Sequence, residues 1–407
     1  MTMKKKILIT INTFSRAGAE TALLALLDKF DPEQYDISVF VLTAQGELIS
    51  ELPGHVHLLN DIYDDTSVLS SAGKKKLQKS VLRAFLRHGN VIRLFPYLLK
   101  NFFDMIKRGK ISKDKLLWRV LSDGAQRFDT VYDLAIAYIE GGSTYYVADH
   151  VKAAKKAAFV HIDYNLAGYT RELDLDCYSK FDKIFAVSNE VKSHFIKAYP
   201  EHENKTDVFH NILNVSGIRK KSLLQGGFTD GYDGTRILTI GRLTTQKALE
   251  ISVKALKLLK ETGKKFRWYV LGEGDQRIKL EQLIGELDLT DDFILCGAVD
   301  NPYPYLVQTD IYVHASRFEG KSIAIQEAQI LRCAVLVSDC SGNREQVSDG
   351  IDGKICDLTP ESIKDGVLWF MAHPDEKDKC AAGAAQKYEN QESEINKLLS
   401  LIKKDEC

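Results

Sequence analysis

Short apolar runs alternate with longer amphipathic stretches along the chain, the pattern of a parallel α/β protein whose strands are covered on both faces. Ile7 to Ile11, Tyr35 to Leu42, Val131 to Ala137, Ala157 to Tyr164 and Phe181 to Ser188 predict strands in the first half, with a weaker unit around Val56 to Leu59. Ile237 to Ile240, Phe266 to Leu271, Phe293 to Cys296, Ile311 to His314 and Ala334 to Val337 predict them in the second. Helical spacing begins near Thr21, Asn189, Leu249 and Ser322, the second of these capped by Ser188. The cluster Gly226, Gly227, Gly231 and Gly234 predicts a loop near the boundary of the halves. Two Rossmann-like α/β domains facing a cleft are expected, over residues 1–214 and 215–385, followed by a polar helical tail over 386–407.

Composition fits this picture: 407 residues with 44% hydrophobic content suit two domains of ordinary size. A net charge of −1 provides no global field pointing to nucleic acid or membrane. Seven cysteines, an odd number without a C-x-x-C pair, read as reduced residues of a cytoplasmic protein. The lysines after Met3 imitate the head of a signal peptide, but the apolar run behind them breaks at Thr10 and Asn12 and reads as a first strand. No run approaches the ~20 apolar residues of a membrane span.

Residues 74–119 depart from the balance, with 14 Lys and Arg against Asp104 and Asp114. Leu82, Phe85, Leu86, Leu94, Leu98, Leu99, Phe102, Phe103 and Ile106 recur among them at helical spacing. Basic amphipathic helices of this sort either lie on anionic lipid or pack one face on a domain and solvate the other, and the spacing leaves both open. No nucleic-acid-binding signature accompanies them. Asp174-Leu175-Asp176 has the form of a metal-binding D-x-D, but the acidic stretch Arg171 to Tyr178 reads as a solvated helical face.

Candidate chemistry concentrates on Arg317 to Ala328. A strand ends at His314 and a helix begins near Ser322, so Glu319 falls in the turn between them. The first helical turn, Ser322, Ile323 and Ala324, offers free backbone N–H groups and a positive dipole end to an anionic oxygen. Glu327 follows eight residues after Glu319, which puts the carboxylates roughly 10–12 Å apart. That exceeds the ~5–9.5 Å of a hydrolase pair and suits two carboxylates gripping the ends of one elongated ligand. Gly241-Arg242-Leu243 and Gln246-Lys247 occupy another strand-to-helix turn, where two cations five residues apart can embrace a diphosphate. His161 lies toward the C-terminal end of a strand, where α/β sheets bind ligands. Ala17-Gly18-Ala19-Glu20 opens a helix after the first strand, another layout that faces a phosphate.

These stretches together resemble the family 4 retaining glycosyltransferases of the GT-B fold, of the bacterial capsular and exopolysaccharide type. The resemblance rests on the Glu319–Glu327 spacing after His-Ala-Ser, on Gly241-Arg-Leu-x-x-Gln-Lys247, on His161-x-Asp163 and on Gly18-Ala-Glu. Ala17, Phe159 and Ala248 stand where the family has Gly, Trp and Gly. The resemblance implies a nucleotide-sugar donor, expected to be a UDP-sugar, held by the second domain. It implies that Glu327 binds the ribose hydroxyls and that Arg242 and Lys247 neutralise the diphosphate in place of a metal. Ser322, Ile323 and Ala324 would support phosphate and sugar, Glu319 and Gly320 the hexose, and His161 and Gly18 would approach from the first domain. His161, Glu319, Arg242 and Lys247 are the catalytic candidates, and no cofactor or metal is expected because the nucleotide sugar is a substrate. The expected partner is a lipid-linked or glycan acceptor, with peripheral contact at the inner face of the plasma membrane and no nucleic acid. The terminal helix is expected to cross back to the first domain. A GT-B-type UDP-sugar epimerase and a non-catalytic partner subunit are the alternatives; the intact Glu319, Glu327, Arg242 and Lys247 argue against the latter.

Overall fold

A computed structural model describes residues 3–68, 70–87, 90–109, 113–164, 167–388 and 392–402. Parts of the basic segment, part of the C-terminal tail and Cys407 lie outside them. The chain divides into two compact units, residues 1–213 with 391–407, and residues 214–390.

The first unit is a seven-stranded sheet of β1 (Lys5–Ile11), β2 (Tyr35–Val41), β3 (Val56–Leu58), β4 (Val131–Ala137), β5 (Lys152–Val160), β6 (Lys183–Ala186) and β7 (Thr206–Val208). Its order is β3-β2-β1-β4-β5-β6-β7, and the pairs are parallel. Because helices cover both faces, β1 is apolar at consecutive positions: Ile7, Ile9 and Ile11 enter one core and Leu8 enters the other. The terminal helix Glu392–Leu399 belongs to this unit, burying Ile395, Leu398 and Leu399 beside Ile7 and Ile9. The Glu394 carboxylate on it accepts a hydrogen bond from the His210 amide at 2.9 Å.

Three helices lie between β3 and β4: α2 (Ser71–Leu86), α3 (Asn90–Lys107) and α4 (Lys113–Gly124), preceded in the chain by α1 (Gly18–Leu27). Leu116, Val120 and Leu121 bury α4, and α2 and α3 pack against it. The Arg171 to Tyr178 stretch corrects the sequence reading. It is a single helical turn, Arg171–Asp174, followed by left-handed Leu175 and Asp176. Asp174 is fully buried, whereas Leu175 points to solvent. The Asp174 carboxylate accepts hydrogen bonds from Tyr145 at 2.8 Å, Tyr199 at 2.5 Å and Tyr164. The Arg119 guanidinium donates to the Asp174 carbonyl at 3.0 Å and stacks 4.0 Å over the Tyr145 ring. Burial pushes the Asp174 carboxyl upward despite these tyrosine bonds.

The second unit holds β8 (Thr235–Ile240), β9 (Phe266–Leu271), β10 (Phe293–Gly297), β11 (Ile311–His314), β12 (Val335–Ser338) and β13 (Lys354–Cys356) in the order β10-β9-β8-β11-β12-β13, again parallel. In both sheets the chain winds outward from a central strand in one direction and then the other. The reversal falls between β1 and β4 and between β8 and β11, and at such a switch point the loops diverge and leave room for a ligand.

Candidate functional site

The second switch point brings two of the sequence-marked turns together. The turn after β8 carries Arg242 and Lys247, and the turn after β11 carries Glu319. Backbone and side chains stitch them: the Arg317 amide donates to the Gln246 carbonyl at 2.9 Å, and the Gln246 amide donates to the Phe318 carbonyl at 2.9 Å. The Arg317 side chain adds a hydrogen bond to the Thr245 carbonyl and an ion pair with Glu250. Two glycines let the segments after β9 and β12 close in on these turns. A Cβ on Gly272 would lie 1.9 Å from the Gly241 carbonyl oxygen, and one on Gly342 would lie 2.3 Å from that of Glu319.

Glu319 is buried, and one of its oxygens is fully engaged. Oε1 accepts from Lys247 Nζ at 2.5 Å and from Ser316 Oγ at 2.6 Å, and lies 3.1 Å from His314 Nε2. The other oxygen, Oε2, has no partner among the described residues. Burial alone would raise this carboxyl; attraction to Lys247 and the bond from His314 outweigh it and hold Glu319 well below the usual carboxylate range. His314 is itself oriented by the Tyr312 hydroxyl, 3.0 Å from Nδ1, and is kept neutral by burial and by the neighbouring ammonium. Glu319 therefore stands as a fixed anion with one oxygen held by the protein and one open to a hydroxyl donor.

Arg242 is exposed and has no ion-pair partner among the described residues, so its five donors are available to a phosphate. The helix Ile323–Ile330 starts after Ser322, whose side chain makes no capping bond, and the amides of Ile323 and Ala324 belong to its uncapped first turn. Gly320 sits half-buried in the turn before it. Glu327, one turn further on, is buried and accepts a hydrogen bond from the Tyr303 hydroxyl at 2.8 Å. Burial pushes its carboxyl up to about 7, with Tyr303 and Lys221 opposing the shift.

The remaining predicted residues belong to the first unit. His161 directly follows β5; its amide donates to Glu140 at 2.9 Å, and its ring packs against the contacting rings of Tyr138 and Phe159. Burial, partly offset by a hydrogen bond with the Tyr138 backbone, lowers its pKa to about 4. Its Nε2 has no hydrogen-bond partner among the described residues. Gly18 is the first residue of α1, so this helix begins three residues before the expected Thr21 and Gly18 is not part of a loop.

The departures at Ala17 and Ala248 differ in kind. Ala17 has φ −138° and ψ 170°, which any residue adopts, so losing a glycine there is free. Ala248 is buried with φ 47° and ψ 33°, a left-handed conformation that costs a non-glycine residue about 1 kcal/mol. The sequence reading gave no role to Tyr303 or Glu140, and used His314 and Ser316 only as markers of the motif before Glu319. His314 ends its strand as His161 nearly does, a legible signal; Tyr303 lies 24 residues from Glu327 and carries none.

Over 97% of this chain and 99% of the other, the structure is similar to Anabaena HepE in complex with UDP, with a TM-score of 0.67 and 14% identity. The fold is GT-B, two Rossmann-like α/β domains. Residues 232–387, most of the second unit, match the family model "Glycosyl transferases group 1". The chain is 29% identical over 210 residues to N-acetylgalactosamine-N,N'-diacetylbacillosaminyl-diphospho-undecaprenol 4-alpha-N-acetylgalactosaminyltransferase of Campylobacter jejuni, covering 51% of this chain and 56% of that one. It is 31% identical over 126 residues to the amylovoran biosynthesis glycosyltransferase AmsK of Erwinia amylovora, covering 29% and 31%. The chain thus spans about half the length, or less, of these curated relatives.

Proposed function

We propose that this protein is a retaining glycosyltransferase of family 4 that moves a hexose from a UDP-sugar to a hydroxyl of a lipid-linked or glycan acceptor. The observation that carries the reading is the convergence of Lys247, Glu319 and the exposed Arg242 at one switch point, beside an uncapped helix start. Arg242 and Lys247 neutralise the departing diphosphate without a metal, and the amides of Ile323 and Ala324 support it. The open Oε2 of Glu319 accepts from hexose hydroxyls, with Gly320 and Ser322 beside it, and Glu327 accepts from the ribose. His161, neutral near pH 7, and Gly18 act from the first domain. Glu319 is already ion-paired and strongly acidic, a poor nucleophile, so the acceptor hydroxyl attacks on the face the leaving phosphate vacates and passes its proton to that phosphate. The C–O bond to the acceptor forms as the sugar–phosphate bond breaks, and the anomeric configuration is kept. The relative named for a diphospho-undecaprenol substrate and the one named for amylovoran biosynthesis support a lipid-linked or glycan acceptor, and we place the reaction in capsule or exopolysaccharide synthesis at the cytoplasmic side of the membrane.

Thermal unfolding with UDP, GDP, ADP and CMP is the first test. At 100 times its dissociation constant a ligand adds about 2.7 kcal/mol, and a selective UDP shift that survives EDTA is expected. No shift with any nucleotide would sink the donor site and favour a non-catalytic subunit. With an α-linked UDP-hexose, proton NMR of the product should show an α linkage; a β linkage would refute retention.

Glu327 supplies a pH signature. Ribose hydroxyls donate to the ionised carboxylate, so the protonated form binds poorly. With a carboxyl near 7, roughly a tenth is ionised at pH 6, and UDP-hexose affinity should be about tenfold weaker there than at pH 8. Glu327→Gln should flatten this dependence in titration calorimetry; an unchanged slope would remove Glu327 from the ribose.

A further inference from the structure

We infer that the exposed stripe of α3 docks this chain on a bilayer surface carrying anionic lipid. α3 has two apolar stripes, of which one is used. Leu94 and Met105 are buried, and Asn101 between them donates to the Tyr97 carbonyl at 3.0 Å. This face packs against α4 and Leu173. The second stripe is Ile92, Phe95, Leu99, Phe102, Phe103 and Ile106, spanning roughly 100° of the helix surface. Each of these side chains is exposed, from 39% at Phe102 to 84% at Ile92. Folded proteins seldom leave so continuous an aromatic and aliphatic row in water without a partner for it.

The charges around the row select the partner. Lys100 and Lys107, seven residues apart and exposed, flank one edge of the stripe, and neither has an ion-pair partner among the described residues. On the neighbouring α2, Lys75, Lys79, Leu82 and Leu86 form another exposed row at helical spacing. Long lysine stems beside a sunken apolar row suit a helix lying in an interface, with side chains about 5–10 Å deep and ammonium groups at the headgroup level. Arg93, Lys100, Asp104 and Lys107 interrupt α3, and no described helix is long and apolar enough to cross a membrane. A second copy seated antiparallel on the same face would set these lysines against their counterparts.

This surface does not depend on the donor site, so the two readings fail separately. The test is co-sedimentation of the full chain with vesicles of phosphatidylcholine alone or with one third phosphatidylglycerol. Binding should be strong on the anionic vesicles at low salt and fall as salt screens the lysines. Phe95→Ser with Phe103→Ser, both at exposed positions, should weaken binding by about tenfold or more while leaving the thermal midpoint and the UDP shift unchanged. Lys100→Glu with Lys107→Glu should remove the preference for anionic lipid. No sedimentation with anionic vesicles at low salt overturns the inference, as does full binding by the phenylalanine variant. A wild-type dimer that the phenylalanine variant dissolves would also overturn it, making the face a contact between copies.

Discussion

Lys247→Met is expected to lower kcat/KM by about 10²–10³ and to invert the acid response of stability. Both effects come from one contact. Lys247 and Glu319 are largely buried, and breaking such a pair from one side leaves the other charge uncompensated, at a cost of about 3–5 kcal/mol. The lower end applies here because Ser316 and His314 remain on Oε1. In the wild type the folded pKa of Glu319 is depressed, so its stabilising contribution is full above the unfolded value of 4.5 and is lost as pH falls below it. Without Lys247 its Coulombic attraction disappears, burial weighs more heavily against the Glu319 carboxylate, and His314 is no longer held neutral by the ammonium. The folded variant then binds a proton at this pair more readily than the unfolded chain does, so acidification from pH 7 toward 5 stabilises the variant relative to its own value at pH 7. Urea unfolding between pH 4 and 8 reads the inversion, and saturating-donor kinetics reads the rate. Parallel pH curves for the two proteins would mean that the pair is not what holds Glu319, and near-full activity would remove Lys247 from the diphosphate.

Asp174→Ala is expected to destabilise the first unit by about 3–5 kcal/mol, more than any surface carboxylate could. Three buried tyrosine hydroxyls lose one acceptor, and each orphaned polar group costs about 1–3 kcal/mol, less than additively because they share a site. The Arg119 guanidinium keeps its ion pair with Asp149, 2.5 Å away, so the loss belongs to the tyrosine ring of contacts. Asp174→Asn, which retains an acceptor oxygen, should recover more than half of it. Denaturant midpoints decide the matter: a loss under about 1 kcal/mol for Asp174→Ala would make the cluster incidental.

The sequence determined the strands and their burial. Parallel strands covered on both faces must be apolar at nearly every position, so Ile311–His314 and Phe266–Leu271 stand out with their bounds intact. It also marked Arg242, Lys247 and Glu319, because strand-to-helix turns are short and the charged residues in them have few other reasons to be there, and Glu327, inside the helix, by its spacing from Glu319. The element α1 was legible in kind and misjudged in start, since small residues such as Gly18 carry little helical signal. Asp174 was misread because local pattern assigns an acid to water. Only the tertiary structure, bringing Tyr145, Tyr164 and Tyr199 from three separate segments to one carboxylate, makes its burial affordable. The same holds at the site. That Lys247 and His314 converge on one oxygen of Glu319, leaving the other open, depends on β8 and β11 meeting as neighbours in the sheet, which brings together Lys247 and Glu319, 72 residues apart in the chain. The two stripes of α3 likewise form one undivided periodicity in the sequence, because spacing records which residues are apolar and the neighbouring helices decide which of them are covered.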